Sequence, residues 1–192
     1  MRDLIEIRWH GRGGQGAKTA ALLFADAALA AGKYIQAFPE YGPERMGAPV
    51  ASFNRLSSAP ILLHSGVTNP AVVIVLDPTL IDSINVCDGI AEGGTIIINT
   101  DQSPDEIKKS LKLAPDVKVC TVDASRISVE TIGRDIPNTP MMGALVKVTG
   151  ILDFKEMLDD TKHKLEKKFR SKPEVIEGNI KAIERAYNEV RS

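Results

Sequence analysis

Two short stretches, Ala71-Val72-Val73-Ile74-Val75-Leu76 and Thr95-Ile96-Ile97-Ile98-Asn99, are apolar almost without interruption. A strand with one face in water alternates polar and apolar residues. An unbroken run must instead be covered on both faces, which is the condition of a central strand in a parallel sheet. The segments around these runs supply the crossovers that such a sheet needs. Asp77-Pro78 closes the first run and opens a short helix, and Gly93-Gly94 turns into the second. Ser103-Pro104-Asp105-Glu106 is a helix start, with Ser103 as cap and Pro104 at the first helical position. Leu4–Trp9, Tyr34–Phe38 and Lys118–Asp123 read as further strands, and Val50–Leu56 as a strand with one wet face. Ala17–Ala31 and Ala124–Ile132 read as helices. Strands alternating with helices predict an α/β fold with an open, mostly parallel, Rossmann-like sheet and flanking helices.

Beyond Asp135 the pattern changes. Ile136-Pro137-Asn138-Thr139-Pro140 reads as an ordered loop, and Met141–Thr149 as a helix whose Gly143, Ala144 and Gly150 permit close packing. Asp153-Phe154-Lys155-Glu156 has the form of a capping box and begins a charged helix that ends near Lys168. Pro173–Arg191 makes a last helix with Val175, Ile176, Ile180, Ile183 and Tyr187 on one face. At 192 residues the expected organisation is a single domain, 1–192, with 151–192 as a C-terminal helical appendage. The basic run Lys162, Lys164, Lys167, Lys168, Arg170 and Lys172 is interrupted by Glu166 and reads as a solvated face.

The segment most suggestive of chemistry is His10-Gly11-Arg12-Gly13-Gly14-Gln15-Gly16-Ala17-Lys18-Thr19, between the first strand and the first helix. A glycine-rich strand-to-helix turn lets backbone approach an anion, and the unpaired N–H groups of the first helical turn point at it. Arg12 and Lys18 lie beside the positive end of the helix dipole, an unfavourable place for a cation unless a phosphate or carboxylate offsets it; otherwise both point into solvent. Gly11, Gly13 and Gly16 satisfy G-x-G-x-x-G, but the second strand carries Gln36 where a dinucleotide fold needs an acidic residue for the ribose, and Glu40 lies beyond Pro39. Gly11 and Gly16 also have Walker spacing, yet Ala17 stands before Lys18-Thr19 and turns the lysine about 100° around the helix. A generic anion nest is specified, and neither an NAD site nor an ATP site is.

Composition excludes several classes. A net charge of −1 gives no global attraction to nucleic acid or membrane. No apolar stretch approaches the roughly 20 residues that span a bilayer, so a cytoplasmic location is expected. Cys87 and Cys120 are isolated, which argues against a disulfide framework, a zinc site or a self-contained iron–sulfur cluster. His10, His64 and His163 have no metal-ligand spacing, and only His10, beside the glycine turn, has a candidate functional place. No metal site is expected.

Four segments taken in order resemble the gamma subunits of 2-oxoacid:ferredoxin oxidoreductases, most closely those of the pyruvate branch. They are Gly11–Gly16, Ala37-Phe38-Pro39-Glu40-Tyr41-Gly42-Pro43-Glu44-Arg45-Met46-Gly47-Ala48-Pro49, Val75–Leu80 and Asn138-Thr139-Pro140-Met141-Met142-Gly143-Ala144. The resemblance runs over nearly the whole chain. It implies a part in the oxidative decarboxylation of pyruvate to acetyl-CoA and CO2 with reduction of ferredoxin, the work being divided among alpha, beta, gamma and delta subunits. Gamma chains for pyruvate and branched-chain oxoacids read Glu-Arg-x-Gly-Ala-Pro in the loop, as Glu44–Pro49 does here. A 2-oxoisovalerate enzyme is therefore an alternative, and a stand-alone dinucleotide-binding module is a further one.

This sequence has too few cysteines for one cluster and no G-D-G followed by Asn-Asn of the kind that holds magnesium-bound thiamine diphosphate. Thiamine diphosphate with Mg2+ and the iron–sulfur clusters are thus expected in the partner subunits, with coenzyme A as co-substrate and no cofactor held by this chain alone. Catalytic residues are not assigned. The residues expected to touch coenzyme A or another cofactor are Gly11, Arg12, Gly13, Gly14, Gln15, Gly16, Lys18, Glu44, Arg45, Asn138 and Thr139. Phe38, Tyr41, Met46, Met141 and Met142 suggest that Pro39–Pro49 and Ile136–Met142 are mobile loops at one edge, forming an interface with the thiamine-binding subunits.

Overall fold

The computed structural model describes residues 4–40 and 46–192. Strands β1 (Ile5–Arg12), β2 (Tyr34–Pro39), β3 (Pro49–Ser57), β4 (Val72–Val75), β5 (Thr95–Asn99) and β6 (Lys118–Val122) form one sheet in the order β2-β3-β1-β4-β5-β6. The pairs β1–β4, β4–β5 and β5–β6 are parallel, and β3 runs antiparallel between β2 and β1. The open, mostly parallel α/β architecture expected from the apolar runs is the one observed. Helices are α1 (Ala17–Ala30), α2 (Pro104–Leu111), α3 (Ala124–Ile132), α4 (Asn138–Thr149), α5 (Phe154–Lys168) and α6 (Pro173–Glu189).

The apolar runs are covered on both faces. Ile74 of β4 and Ile97 of β5 join Ile7 and Trp9 of β1, Phe24 of α1, Met141 and Leu145 of α4 and Ile183 of α6 in the larger core. On the opposite face Val73, Val75, Ile96 and Ile98 meet Leu80, Val86 and Ile107. Local signals place the ends of the elements. Asp77 accepts from the Thr79 N–H and starts a 3-10 turn at Pro78–Leu80, and Ser103 and Glu106 form a reciprocal capping box on α2. At α5 Asp153 accepts from the Glu156 N–H at 2.9 Å.

Three expectations need correction. β3 has no wet face, because Ala51 to Ser57 are all buried. One side lies under α1, where Asn54 accepts from the Trp9 indole N–H at 2.8 Å and donates to the Ala21 carbonyl at 3.0 Å. The other side is covered by the segment after β3: Arg55 donates to the carbonyls of Ser65 (2.7 Å) and Gly66 (2.9 Å) and pairs with Glu6 at 2.7 Å. Asn54 and Arg55 are tolerated in a buried strand because each finds a partner.

Residues 138–140 are not loop but the first turn of α4, where Pro140 loses no helical hydrogen bond. Met141 and Met142 do not form an edge surface either. Both are fully buried, since α4 lies between the sheet and α6, and a Cβ at Gly143 would strike the Ile183 backbone. Of the other expected interface loop, Pro39 and Pro49 end strands and Met46 is exposed, while Tyr41 lies outside the described residues. The last helix stops at Glu189, and Arg191 exchanges backbone hydrogen bonds with Thr121 at 2.9 Å in each direction, closing part of the β6 edge.

Candidate anion-binding site

β1 and β4 flank the point where the chain reverses its direction of winding, and open α/β sheets bind ligands beyond the carboxyl ends of such strands. β1 is longer than its sequence suggests. Gly11 and Arg12, taken as part of the turn, pair with Val50 and Pro49 of β3. The turn proper is Gly13–Gly16, with Gly14 at φ +101° and Gly16 at φ +83°, a region that side chains rarely adopt. Gly16 is also crowded: a Cβ there would lie 2.5 Å from Asn138 Nδ2.

One side of the turn is closed by its own partners. The Gln15 side chain accepts from the Arg12 N–H at 2.7 Å and donates to Asp77 Oδ2 at 2.7 Å. Arg12 Nε lies 3.3 Å from Asp77 Oδ2, and its guanidinium also donates to Thr79 Oγ1 (2.8 Å) and the Gly47 carbonyl (3.2 Å). Gly13 exchanges backbone hydrogen bonds with the segment before β3, donating to Ala48 at 2.9 Å and accepting from Gly47 at 3.2 Å. The carboxylate that the sequence left to an external ligand is thus supplied by Asp77 at the end of β4. Partial burial pushes the Asp77 carboxyl up, but hydrogen bonds from Thr79 and Gln15 and the Arg12 charge outweigh it and hold the group below its ordinary 3.8.

The other side is open. Helix α1 has no side-chain cap, and among the described residues the N–H groups of Ala17, Lys18 and Thr19 have no acceptor. Asn138, at the start of α4, is 7% exposed. Its Oδ1 accepts from the Thr139 N–H at 2.8 Å, and its Nδ2 donates to nothing among the described residues. Thr139 Oγ1 donates to Asn179 Oδ1 at 2.8 Å. Gly14, Gly16, Thr19, Asn138, Thr139 and Asn179 line a groove of about 750 Å³ running between α1 and the facing parts of α5 and α6.

The candidate residues are therefore partly gathered. Gly11, Arg12, Gly13, Gly14, Gln15, Gly16, Asn138 and Thr139 surround one helix terminus. Lys18 stands exposed on α1 with no ion pair among the described residues, and Glu44 and Arg45 lie outside them. His10 is buried on the sheet face away from α1. Burial, with the Arg8 charge adding to it, lowers its pKa to about 4. Asp77 and Thr79 were missed as site residues; their signal was an aspartate at the end of an apolar strand, next to the reversal point.

Comparison with known proteins places these features in context. Residues 6–189 match the family model described as pyruvate ferredoxin/flavodoxin oxidoreductase. Pyruvate synthase subunit PorC of Thermotoga maritima is 48% identical over 192 residues, covering 99% of this chain and 96% of that protein. The Pyruvate/ketoisovalerate oxidoreductases common subunit gamma of Thermococcus kodakarensis is 43% identical over 185 residues, covering 96% of each. The crystal structure of Thermotoga maritima pyruvate oxidoreductase subunit PORC superposes with a TM-score of 0.84 at 46% identity, over 98% of this chain and 97% of that one.

Proposed function

The chain belongs to the pyruvate ferredoxin/flavodoxin oxidoreductase family, and on that premise we propose that it is the gamma subunit of a pyruvate synthase. That enzyme oxidatively decarboxylates pyruvate to acetyl-CoA and CO2 and reduces ferredoxin. The observation that carries this reading is 48% identity to a pyruvate synthase subunit over 99% of the chain. A second reading, service to a 2-oxoisovalerate enzyme as well, is favoured by relatives whose name assigns one gamma subunit to both oxoacids.

Among the described residues no group of three His, Cys, Asp or Glu side chains is placed to hold a metal ion. Cys120 lies on β6, and Cys87 lies in the segment between β4 and β5. In the proposed enzyme the alpha, beta and delta subunits hold Mg2+-thiamine diphosphate and the iron–sulfur clusters, and ferredoxin is met through the assembled complex. Among the described residues no helix is long and apolar enough to cross a membrane; we place the complex in the cytoplasm. The whole of 1–192 acts as one domain, with 151–192 as its C-terminal helical part.

Coenzyme A supplies the thiol that takes up the acyl group. This chain's own contribution is to bind and orient that carrier through its phosphates. The open side of the turn suits the task, because the α1 N–H groups and the Asn138 amide are donors with no acceptor among the described residues. Gly11, Gly13, Gly14 and Gly16 keep backbone close, Lys18 adds charge, and Arg12 and Gln15 brace the turn through Asp77. Glu44 and Arg45 are assigned to the same site through the Glu44–Pro49 motif.

The test is to purify the chain alone and together with its alpha, beta and delta companions. Alone it is expected to be colourless and unable to pass electrons from pyruvate to a viologen dye. The four-subunit complex should do so in a coenzyme A-dependent manner, and assaying pyruvate beside 2-oxoisovalerate separates the two readings. Dye reduction by the chain alone, or full coenzyme A-dependent turnover by a complex lacking it, overturns the assignment.

A further inference from the structure

Gly11, Gly13, Gly14 and Gly16 give the segment between β1 and α1 wide backbone freedom. A turn that receives a ligand on its backbone must lose that freedom beforehand, because ordering it during binding weakens the binding. Groups outside the glycines have to fix them.

Asp77, at the end of β4, does so from two directions. On the inner side Gln15 carries the link: its Oε1 accepts from the Arg12 N–H at 2.7 Å, and its Nε2 donates to Asp77 Oδ2 at 2.7 Å. On the outer side Arg12 carries it. Its Nε lies 3.3 Å from Asp77 Oδ2, and its Nη1 donates to the Gly47 carbonyl at 3.2 Å. Gly13 is then clamped at both of its backbone groups, donating to Ala48 at 2.9 Å and accepting from Gly47 at 3.2 Å. Gly47 itself sits at φ +80°, which a side chain would strain.

The direction of these hydrogen bonds requires a carboxylate. Asp77 Oδ1 accepts from the Thr79 N–H at 2.9 Å and from its hydroxyl at 2.6 Å, and the hydroxyl so oriented accepts from Arg12 Nη2 at 2.8 Å. Donors therefore face both oxygens of Asp77. An amide of the same shape would turn its NH2 group toward one set of them, and Gln15 cannot reverse to meet it without losing the Arg12 N–H. The Asp77 side chain is 12% exposed and that of Arg12 30%, so water screens the pair only in part.

We propose that Asp77 is a positioning residue for the reaction: through Gln15, and through the Arg12–Gly47 link, it fixes the Gly13–Gly16 backbone in the geometry that receives the co-substrate. It touches no reacting atom itself. That the co-substrate is coenzyme A rests on the reading above. Control of the turn from the end of β4 is the new content, and with it Gly47 and Ala48 of the Glu44–Pro49 motif take the task of clamping Gly13.

The experiment compares the parent, Asp77→Asn, Arg12→Gln and the double variant in the complex assembled with the alpha, beta and delta companions. Amide hydrogen exchange at Gly13 and Gly47 is followed in the full chain by 15N NMR. Asp77→Asn is expected to raise KM for coenzyme A about tenfold, the factor that one charge-assisted hydrogen bond supplies, with kcat and KM for pyruvate within about twofold. Exchange at both amides should quicken about tenfold. Arg12→Gln leaves the Gln15 link in place and should raise KM for coenzyme A about threefold to fivefold. The double variant should match Asp77→Asn within about twofold, because residues that act through one link are not additive. Arg126→Gln, which breaks ion pairs with Asp123 and Glu189 elsewhere, should change none of these. If Asp77→Asn does not fold, Thr79→Val stands in for it: at an exposed position it removes only the hydroxyl link, and about a threefold rise in KM for coenzyme A is expected with faster exchange at Gly47.

A KM for coenzyme A that stays at the parent value in Asp77→Asn, or in Thr79→Val where that variant stands in, overturns the proposal. So does a fall in kcat with KM unchanged, and so does a double variant whose loss is the product of the two single losses. The outcome is separable from the function itself. A parent complex without coenzyme A-dependent turnover refutes the enzyme assignment, and the exchange measurement then decides the control of the turn by itself: unchanged exchange at Gly13 in Asp77→Asn overturns it.

Discussion

The two sides of the glycine turn begin from the same kind of residue and end in opposite states. On the β4 side Arg12 reaches Asp77, Thr79 and the Gly47 carbonyl, and Gln15 bridges the backbone of Arg12 to Asp77. Every charged group there is answered within the chain. On the α4 side the Asn138 amide and the N–H groups of the first α1 turn are answered by nothing among the described residues. A basic residue next to a glycine turn is thus not in itself evidence of a ligand. Donors left without a partner beside the turn are the better sign, because a helix start leaves N–H groups that an acceptor can answer.

The largest effect expected from breaking this arrangement is at Gly16. Gly16→Val puts a β-branched residue at φ +83° and drives its Cβ into Asn138, damaging the open side's geometry and the fold together. We expect about 3 kcal/mol of destabilisation, seen as a fall of about 6–12 °C in the thermal midpoint. A midpoint within two degrees of the parent would mean that Asn138 does not press on this turn.

Asp77→Ala breaks the closed side. It removes the acceptor of Gln15, Thr79 and Arg12 and is expected to cost about 2 kcal/mol near neutral pH, with Arg12's partial exposure limiting the loss. The pH dependence carries a sign. Since the folded-state carboxyl titrates below its ordinary 3.8, its stabilisation is present above that value and disappears as pH falls through the folded pKa. Thermal midpoints of parent and variant should therefore draw together as the pH falls below 3.8. A gap that does not narrow at all as the pH is lowered through the acid range below 3.8 would show that Asp77 acts by shape and not by charge.

Gly14 sharpens the contrast with Gly16. It has a positive φ too, but nothing lies within 4 Å of a Cβ placed there. Gly14→Val should cost only backbone strain, about 1–2 kcal/mol. Calorimetry on the two valine variants, measured side by side, tests whether the difference between them belongs to Asn138. An equal loss at both positions would assign the whole effect to φ.

The smallest effect is expected at Lys18. Its side chain is exposed, so Lys18→Ala should leave the thermal midpoint within about a degree and raise KM for coenzyme A in the assembled enzyme by no more than a few fold. An increase of a hundredfold would place Lys18 in direct contact with a phosphate.

What could be read from the chain followed the range of the forces involved. The apolar runs at Ala71–Leu76 and Thr95–Asn99 announced buried central strands, and Asp77-Pro78 and Ser103-Pro104 announced helix starts, because side-chain period and capping act within a few residues. β3 was misread as half wet. Its Asn54 and Arg55 look like water-facing residues until Trp9, Ala21, Glu6 and the Ser65–Gly66 carbonyls are brought to them across the fold. Residues 138–142 were misread as a surface loop for a related reason: two methionines look like an adaptable contact patch until α6 is seen to cover them.

The sequence by itself determined the α/β class, the place of the glycine turn between strand and helix, and through whole-length similarity the family. All three depend on local periodicity, local backbone requirements, or the order of segments along the chain. Only the tertiary structure decided which donors of that turn are satisfied. Asp77 lies 65 residues beyond Arg12 and Asn138 lies 122 beyond Gly16, and no local pattern says that the sheet brings the first within 3.3 Å of a guanidinium while α4 leaves the second with an unpaired amide. Hydrogen-bond satisfaction is a property of three-dimensional neighbours, so a turn that reads as one anion nest becomes a closed brace on one side and, among the described residues, a row of free donors on the other.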